Sequence, residues 1–326
     1  FGHAPDGGQD DVLRTDVQQL AQEGNLTICA ARQAGNAEED LPTIKAAFAD
    51  VNTFPRVADR LQQGALNSLM LGRLMIHPQG LVQQGAFRTP AGTPAIDTFT
   101  VAYDTISSGA FGGMVAALSP DSVRASLGTG GMNQTFMLDR STDGTAFNQI
   151  FRAAYPSRVE RTLLLSMLQG QWDRAETGGY AQSLTQDPLP STPLHTLLFQ
   201  AAVGDHRVPN LATEIAARTV EAVKRDPLYD KGRSADRIPG YGLTPTSQLE
   251  LGSVLTMWDG GPVRNGGTLG TPVPPTTPVP PTAGIDPHDL PAQTPAARKQ
   301  RSDFFNVDSR FIDPCTPTVG CRAFGY

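Results

Sequence analysis

The chain has 326 residues, long enough to bury a substantial core as one large α/β domain or two smaller ones. Its 32 acidic and 26 basic side chains give a formal charge of −6, which supplies no basic face for phosphates and argues against a nucleic-acid partner. The 33 Gly and 27 Pro imply long irregular stretches, and no apolar run is long enough to cross a bilayer as a helix.

The opening FGHAPDGGQDD has neither the basic start nor the apolar stretch of a signal peptide. It reads as a strand end entering a loop, so further strands are expected upstream of Phe1. DDVLRTDVQQLAQEG predicts a helix that stops at Gly24. NLTICAA then reads as a short buried strand in which Cys29 acts as a small hydrophobe. After a polar loop and a weakly amphipathic stretch comes the clearest helix, over 54–76, with Val57, Leu61, Ala65 and Leu69 along one face. IDTFTVAYDTI is the next strand, GGMVAAL a small-residue helix, and SVRASLGTGG a strand with its exit loop. This alternation predicts an α/β fold, a mostly parallel sheet with crossover helices.

A helical insertion is expected around 146–185, as a lid or cap between core strands. HTLLFQAAVGDHRVPNLATEIAARTVEAV returns to strand, loop and helix. Beyond about 225 the pattern thins, and GTPVPPTTPVPPTAG is a connector of polyproline character, too poor in hydrophobes to form core. We therefore divide the chain into a core over 1–225 and an extended C-terminal part over 226–326. That part ends in DPCTPTVGCRAFGY, where a disulfide between Cys315 and Cys321 is the natural reading and favours an oxidising, extracellular or periplasmic location. No histidine or further cysteine accompanies the pair, so no zinc site is expected.

The chemistry centres on Thr105-Ile106-Ser107-Ser108-Gly109, placed between a strand and a helix. A serine on such a tight turn projects its Oγ above the sheet, while the next backbone N–H stabilises an oxyanion. Ser107 ranks above Ser108 because Gly109 stands two places after it, at the crowded point of the turn. Ser108 is assigned the backbone N–H. The bland alternative is a polar turn. An acid should follow a later strand, and Asp205 does so after TLLFQAAVG; its alternative role is to cap the next helix. A histidine should then return on a loop, and His288 is the last histidine of the chain.

The stretches FGHAPDGG, YDTISSGAFGG, LGTGGMNQTFMLDRS, LLLSMLQGQWDRAETGGYA and DPHDLPAQTPAARKQRSDFF, with others over most of the chain, resemble large secreted bacterial proteins of the α/β-hydrolase superfamily. The resemblance implies serine esterase- or lipase-type hydrolysis with Ser107 as nucleophile, Asp205 as acid and His288 as base. It needs no cofactor and no metal, and its substrate is a small or polymeric ester. Two positions depart from the family pattern. Thr105 replaces a glycine, and the first loop reads Gly2-His3-Ala4-Pro5-Asp6-Gly7, where Pro5 has no N–H to donate. Ala4 is then the expected second oxyanion donor, and His3 is expected to brace the loop. The rival expectation is an inactive hydrolase-like extracellular binding or structural module. A third is one piece of a larger assembly whose other strands come from the missing N-terminal portion.

The remaining candidates have structural readings. His206 is assigned a structural hydrogen bond, His195 a satisfied edge position and His77 a helix end. Trp172-Asp173-Arg174 with Glu176 reads as a buried salt-bridge network, and Trp258-Asp259 as packing under the His288 loop. No phosphate-binding loop, dinucleotide fingerprint or calcium loop is present.

Overall fold

The computed structural model describes all residues except 6, 107–108, 231, 235, 247–251, 266–267, 271, 283, 307–312, 316–319 and 324–326. In chain order the strands are β1 (Val101–Thr105), β2 (Ser122–Gly128), β3 (Thr196–Ala202), β4 (Val223–Arg225), β5 (Pro245–Thr246), β6 (Val254–Asp259), β7 (Val263–Asn265), β8 (Thr268–Gly270) and β9 (Cys321–Arg322). Among the described residues, seven of them form one sheet in the order β1-β2-β3-β6-β4-β5, with β9 added to β6; every pair is parallel. β4 and β9 share one edge of β6, meeting its start and its end in turn. β7 and β8 form a separate antiparallel hairpin.

The helices are α1 (Thr15–Gly24), α2 (Leu41–Ala49), α3 (Pro55–Ile76), α4 (Gly109–Leu118), α5 (Gln134–Arg140), α6 (Thr145–Ala154), α7 (Arg158–Asp173), α8 (Thr177–Thr185), α9 (Asn210–Thr219), α10 (Leu290–Gln293) and α11 (Pro295–Phe305). The two-residue alternation of the strands sorts the sheet into unlike faces. Tyr103, Ala125, Leu127, Leu197, Phe199, Ala201, Leu255 and Met257 join the main core, to which α3, α4 and α9 contribute. The opposite face carries Asp104, Ser126, Gln200 and Thr256, all buried, with α10 and α11 packed over it. There Gln200 Nε2 donates to Ala297 O at 2.9 Å and to Gln300 Oε1 at 2.6 Å. The fold is thus α/β, a parallel sheet between helical layers.

Several expectations need correction. NLTICAA joins no ladder: Leu26 N–H donates back to Ala21 O of α1, and Cys29 O accepts from the Phe1 amine. Cys29 is free and half-buried. The sheet also crosses the division drawn near 225, since β6, wholly buried, runs between β3 and β4. Within 146–185, α6 packs on α2, while α8 lies against α4 and α9 in the layer over the sheet. Arg174 leaves its expected network, pairing with Asp59 at 2.7 Å on α3. Glu176 is buried with no cation paired to it among the described residues, and burial pushes its carboxyl up to about 7. Trp172 instead stacks edge-on against Phe54 and beside Phe48.

Cys315 and Cys321 form a disulfide, packed with Trp258 and Ala297. Among the described residues no helix is long and apolar enough to cross a membrane.

Candidate active site

β1 ends at Thr105, Ile106 is buried, and α4 begins at Gly109. Ser107 and Ser108 lie outside the described residues, so the frame around them carries the geometry. Thr129 Oγ1 donates to Ile106 O. Gly128, at the end of β2, leaves β1 room to turn: a Cβ there would stand 2.4 Å from Thr105 O. From α8, Thr177 Oγ1 donates to Ala110 O at 2.7 Å and accepts Gly113 N–H at 3.1 Å, which fastens the first turns of α4.

The first loop meets this corner directly. Gly2 bridges Thr105, its N–H donating to Asp104 O at 2.8 Å. His3 is fully buried; its Nε2 accepts Gln33 N–H at 2.8 Å, so the ring proton sits on Nδ1 and donates to Ala4 O at 2.8 Å. These two bonds tie the first loop to the backbone at Gln33. Ala4 departs from its expected role, because its N–H donates to Asp11 Oδ2 at 3.0 Å and is not open to an oxyanion.

The acid loop leaves β3 through Gly204, whose φ of +88° suits glycine and which presses on the connector; a Cβ there would stand 2.6 Å from Pro272 Cβ. Asp205 is fully buried. Its Oδ1 accepts Arg207 and Val208 N–H, each at 2.8 Å, and its Oδ2 meets His288 Nδ1 at 2.8 Å. The first two bonds order the loop ahead of α9 and leave Oδ2 for the histidine. Arg207 carries its own partner, Asp143, at 2.9 Å.

His288 is 2% exposed, on the loop that leads from the connector into α10. Burial acts to lower its pKa, but the charge and hydrogen bond of Asp205 outweigh burial and hold it above the ordinary value. Its Nε2 is buried and has no hydrogen-bond partner among the described residues. Ala292, in the helix that begins two residues later, shares a cluster with Ile106 and Val17, which places the histidine's helix against the end of the β1 segment. Beside His288, Asp289 accepts from Arg14 at 3.1 Å, and Arg14 also grips Asp16.

Asp205 and His288 are thus brought together across 83 positions of sequence. His206 makes the structural bond expected of it, between Nδ1 and Val279 O at 2.7 Å. His77 ends α3, its Nδ1 accepting Gln79 N–H at 3.1 Å. His195 is buried before β3, beside the backbone of Ser119, Ser122 and Leu184, and burial lowers its pKa. Asp259 turns from the His288 loop toward Arg233 and Arg322, at 2.7 and 2.8 Å. Among the described residues no three His, Cys, Asp or Glu side chains gather as a metal site.

Sequence reading passed over Asp286, whose Oδ1 accepts both His206 N–H at 3.2 Å and His288 N–H at 3.1 Å. The signal was present in DPH: an Asp two places before a histidine is suited to cap that histidine's own N–H.

No protein-family model matches the chain, and neither does a curated protein or a solved structure. Chemically, a neutral imidazole whose Nδ1–H is held by a carboxylate has Nε2 as its proton-accepting atom.

Proposed function

We propose that the protein is a serine hydrolase of the α/β-hydrolase type, cleaving carboxylic esters through an acyl-enzyme. The observation that carries this reading is the buried Asp205–His288 pair, whose Nε2 has no partner among the described residues, on a loop whose helix packs against Ile106. In the first step Ser107 Oγ attacks the ester carbonyl while its proton passes to His288 Nε2. Asp205 keeps Nδ1–H and stabilises the imidazolium. The Ser108 N–H is assigned as the donor to the developing oxyanion. His288 returns the proton to the departing alcohol, and water then repeats the sequence on the acyl-enzyme, releasing acid and free Ser107. The disulfide supports an extracellular location.

One observation favours a second reading, an inactive hydrolase-like extracellular module. Ala4 N–H is held by Asp11 and Pro5 has none, so the first loop lacks an open donor at both positions. Losing one oxyanion donor costs on the order of 10²–10³ in rate.

A fluorophosphonate probe separates the two. The hydrolase labels, Ser107→Ala abolishes labelling, and Ser108→Ala retains it. A folded wild-type chain that never labels leaves the inactive module standing. Labelling that survives Ser107→Ala and disappears in Ser108→Ala reassigns the nucleophile.

A further inference from the structure

Asp205 and His288 sit on two loops that have no ladder in common, and 83 positions of sequence, including the Pro-rich connector, separate them. The bond between the two side chains fixes one contact at their tips and leaves the separation of the two backbones to other groups. A carboxylate outside the pair does hold both main chains. Asp286 Oδ1 accepts the N–H of His206, the residue directly after the acid, and the N–H of His288 itself. One oxygen therefore sets the separation of the two backbones, while the contact of His206 Nδ1 with Val279 O fastens the acid loop to the connector a second time.

We infer that Asp286 is a positioning residue of the proposed hydrolase, clasping the histidine loop to the acid loop. The inference rests on the serine-hydrolase reading for its catalytic consequence, and on the two hydrogen bonds for its geometry. The Asp286 carboxyl faces Asp205 as well as the two N–H groups: burial and the Asp205 charge hold it above the ordinary carboxylate range, and the His206 and His288 contacts offset part of that rise. The other charged or titratable groups around the imidazole are Asp205, His206 and Arg207 on the acid loop and Asp289 beside it. Arg14 stands opposite Asp289, and Asp143 opposite Arg207.

The test uses the full chain with ¹⁵N-labelled histidine, in wild type, Asp286→Asn and Asp286→Ala, with His288→Gln to assign the signal. Wild type is expected to show an exchange-protected, low-field Nδ1–H resonance from the Asp205–His288 bond. Asp286→Asn keeps an acceptor and is expected to retain that resonance and the wild-type labelling rate. Asp286→Ala is expected to lose the resonance to exchange and to label with fluorophosphonate about tenfold more slowly, as a misplaced base would. The clasp is overturned by an Asp286→Ala protein with unchanged resonance and labelling. It is equally overturned by an Asp286→Asn protein as impaired as the alanine variant, or by a wild type without the resonance. A wild type that shows the resonance but never labels removes the hydrolase reading, while the three resonances still decide whether Asp286 holds the pair.

Discussion

At the scale of single residues, Asp205 offers the sharpest chemical test. Its Oδ1 is fixed by two backbone N–H groups and its Oδ2 by His288. In Asp205→Asn the remaining oxygen stays with the backbone donors, so the NH₂ group faces His288 Nδ1. The ring must then carry its proton on Nε2, the atom that has to accept one. Ester hydrolysis is expected to fall roughly 10⁴-fold in kcat with the fold intact; a loss under about tenfold would remove Asp205 from the mechanism. The raised pKa of His288 adds a pH signature. A base must be neutral, so kcat/KM climbs with pH through a midpoint above the ordinary imidazole value of 6.5. Asp205 and His288 were legible because an acid after an apolar run and a late histidine on a loop are local patterns. The fate of Ala4 was not, because it depends on where the Asp11 side chain folds back.

At the scale of elements, helices with a full period were readable and segments held outside any ladder were not. The face of Val57, Leu61 and Ala65 in α3 is buried as its spacing demands. NLTICAA has strand composition, yet Leu26 N–H returns to Ala21 O of α1 and Cys29 O takes the Phe1 amine, which no pattern of hydrophobes encodes. Glu176 is a similar case, read as part of a charged knot and found buried among helices. It accepts from Gln169 on α7 and from Gln134 N–H at the start of α5, and begins α8 as its N-cap. Its carboxyl is raised from 4.5 to about 7, so the neutral form suits the fold. The stability it lends is complete below about pH 4.5 and is lost as pH rises through about 7. Glu176→Gln removes that dependence. The variant is expected to match wild type near pH 4 and to exceed it by roughly 3 kcal/mol at pH 8. Urea unfolding at both pH values checks this, and equal curves at pH 8 would contradict it.

At the scale of the molecule, the parallel sheet was foreseeable from strand–helix alternation, but its order was not. Neighbours in a parallel sheet come from distant parts of the chain, and the six residues of β6 give no sign of sitting between β3 and β4. For the same reason the tail looked detached. Instead β9 extends the sheet from β6, Ala323 N–H donates to Asp259 O at 3.0 Å, and Arg322 reaches Asp259 and Asp230. Arg225, buried, donates to Cys315 O at 3.1 Å and to Asp313. These bonds and the disulfide are two separate restraints on one segment, and they act on different states. The ion pairs and ladder stabilise the folded chain, whereas the disulfide, spanning a sequence separation of 6, restricts the unfolded one. A loop that short is worth about 2 kcal/mol by closure entropy. Replacing Cys315 and Cys321 together by serine is therefore expected to lower unfolding free energy by about that amount, with the m-value raised because the unfolded chain opens further. Trp258 packs on the disulfide and reports the transition by fluorescence. The Asp205–His288 resonance should persist in the variant, since neither cysteine touches that pair. A loss below about 0.5 kcal/mol would assign the tail's attachment to its ladder and ion pairs alone.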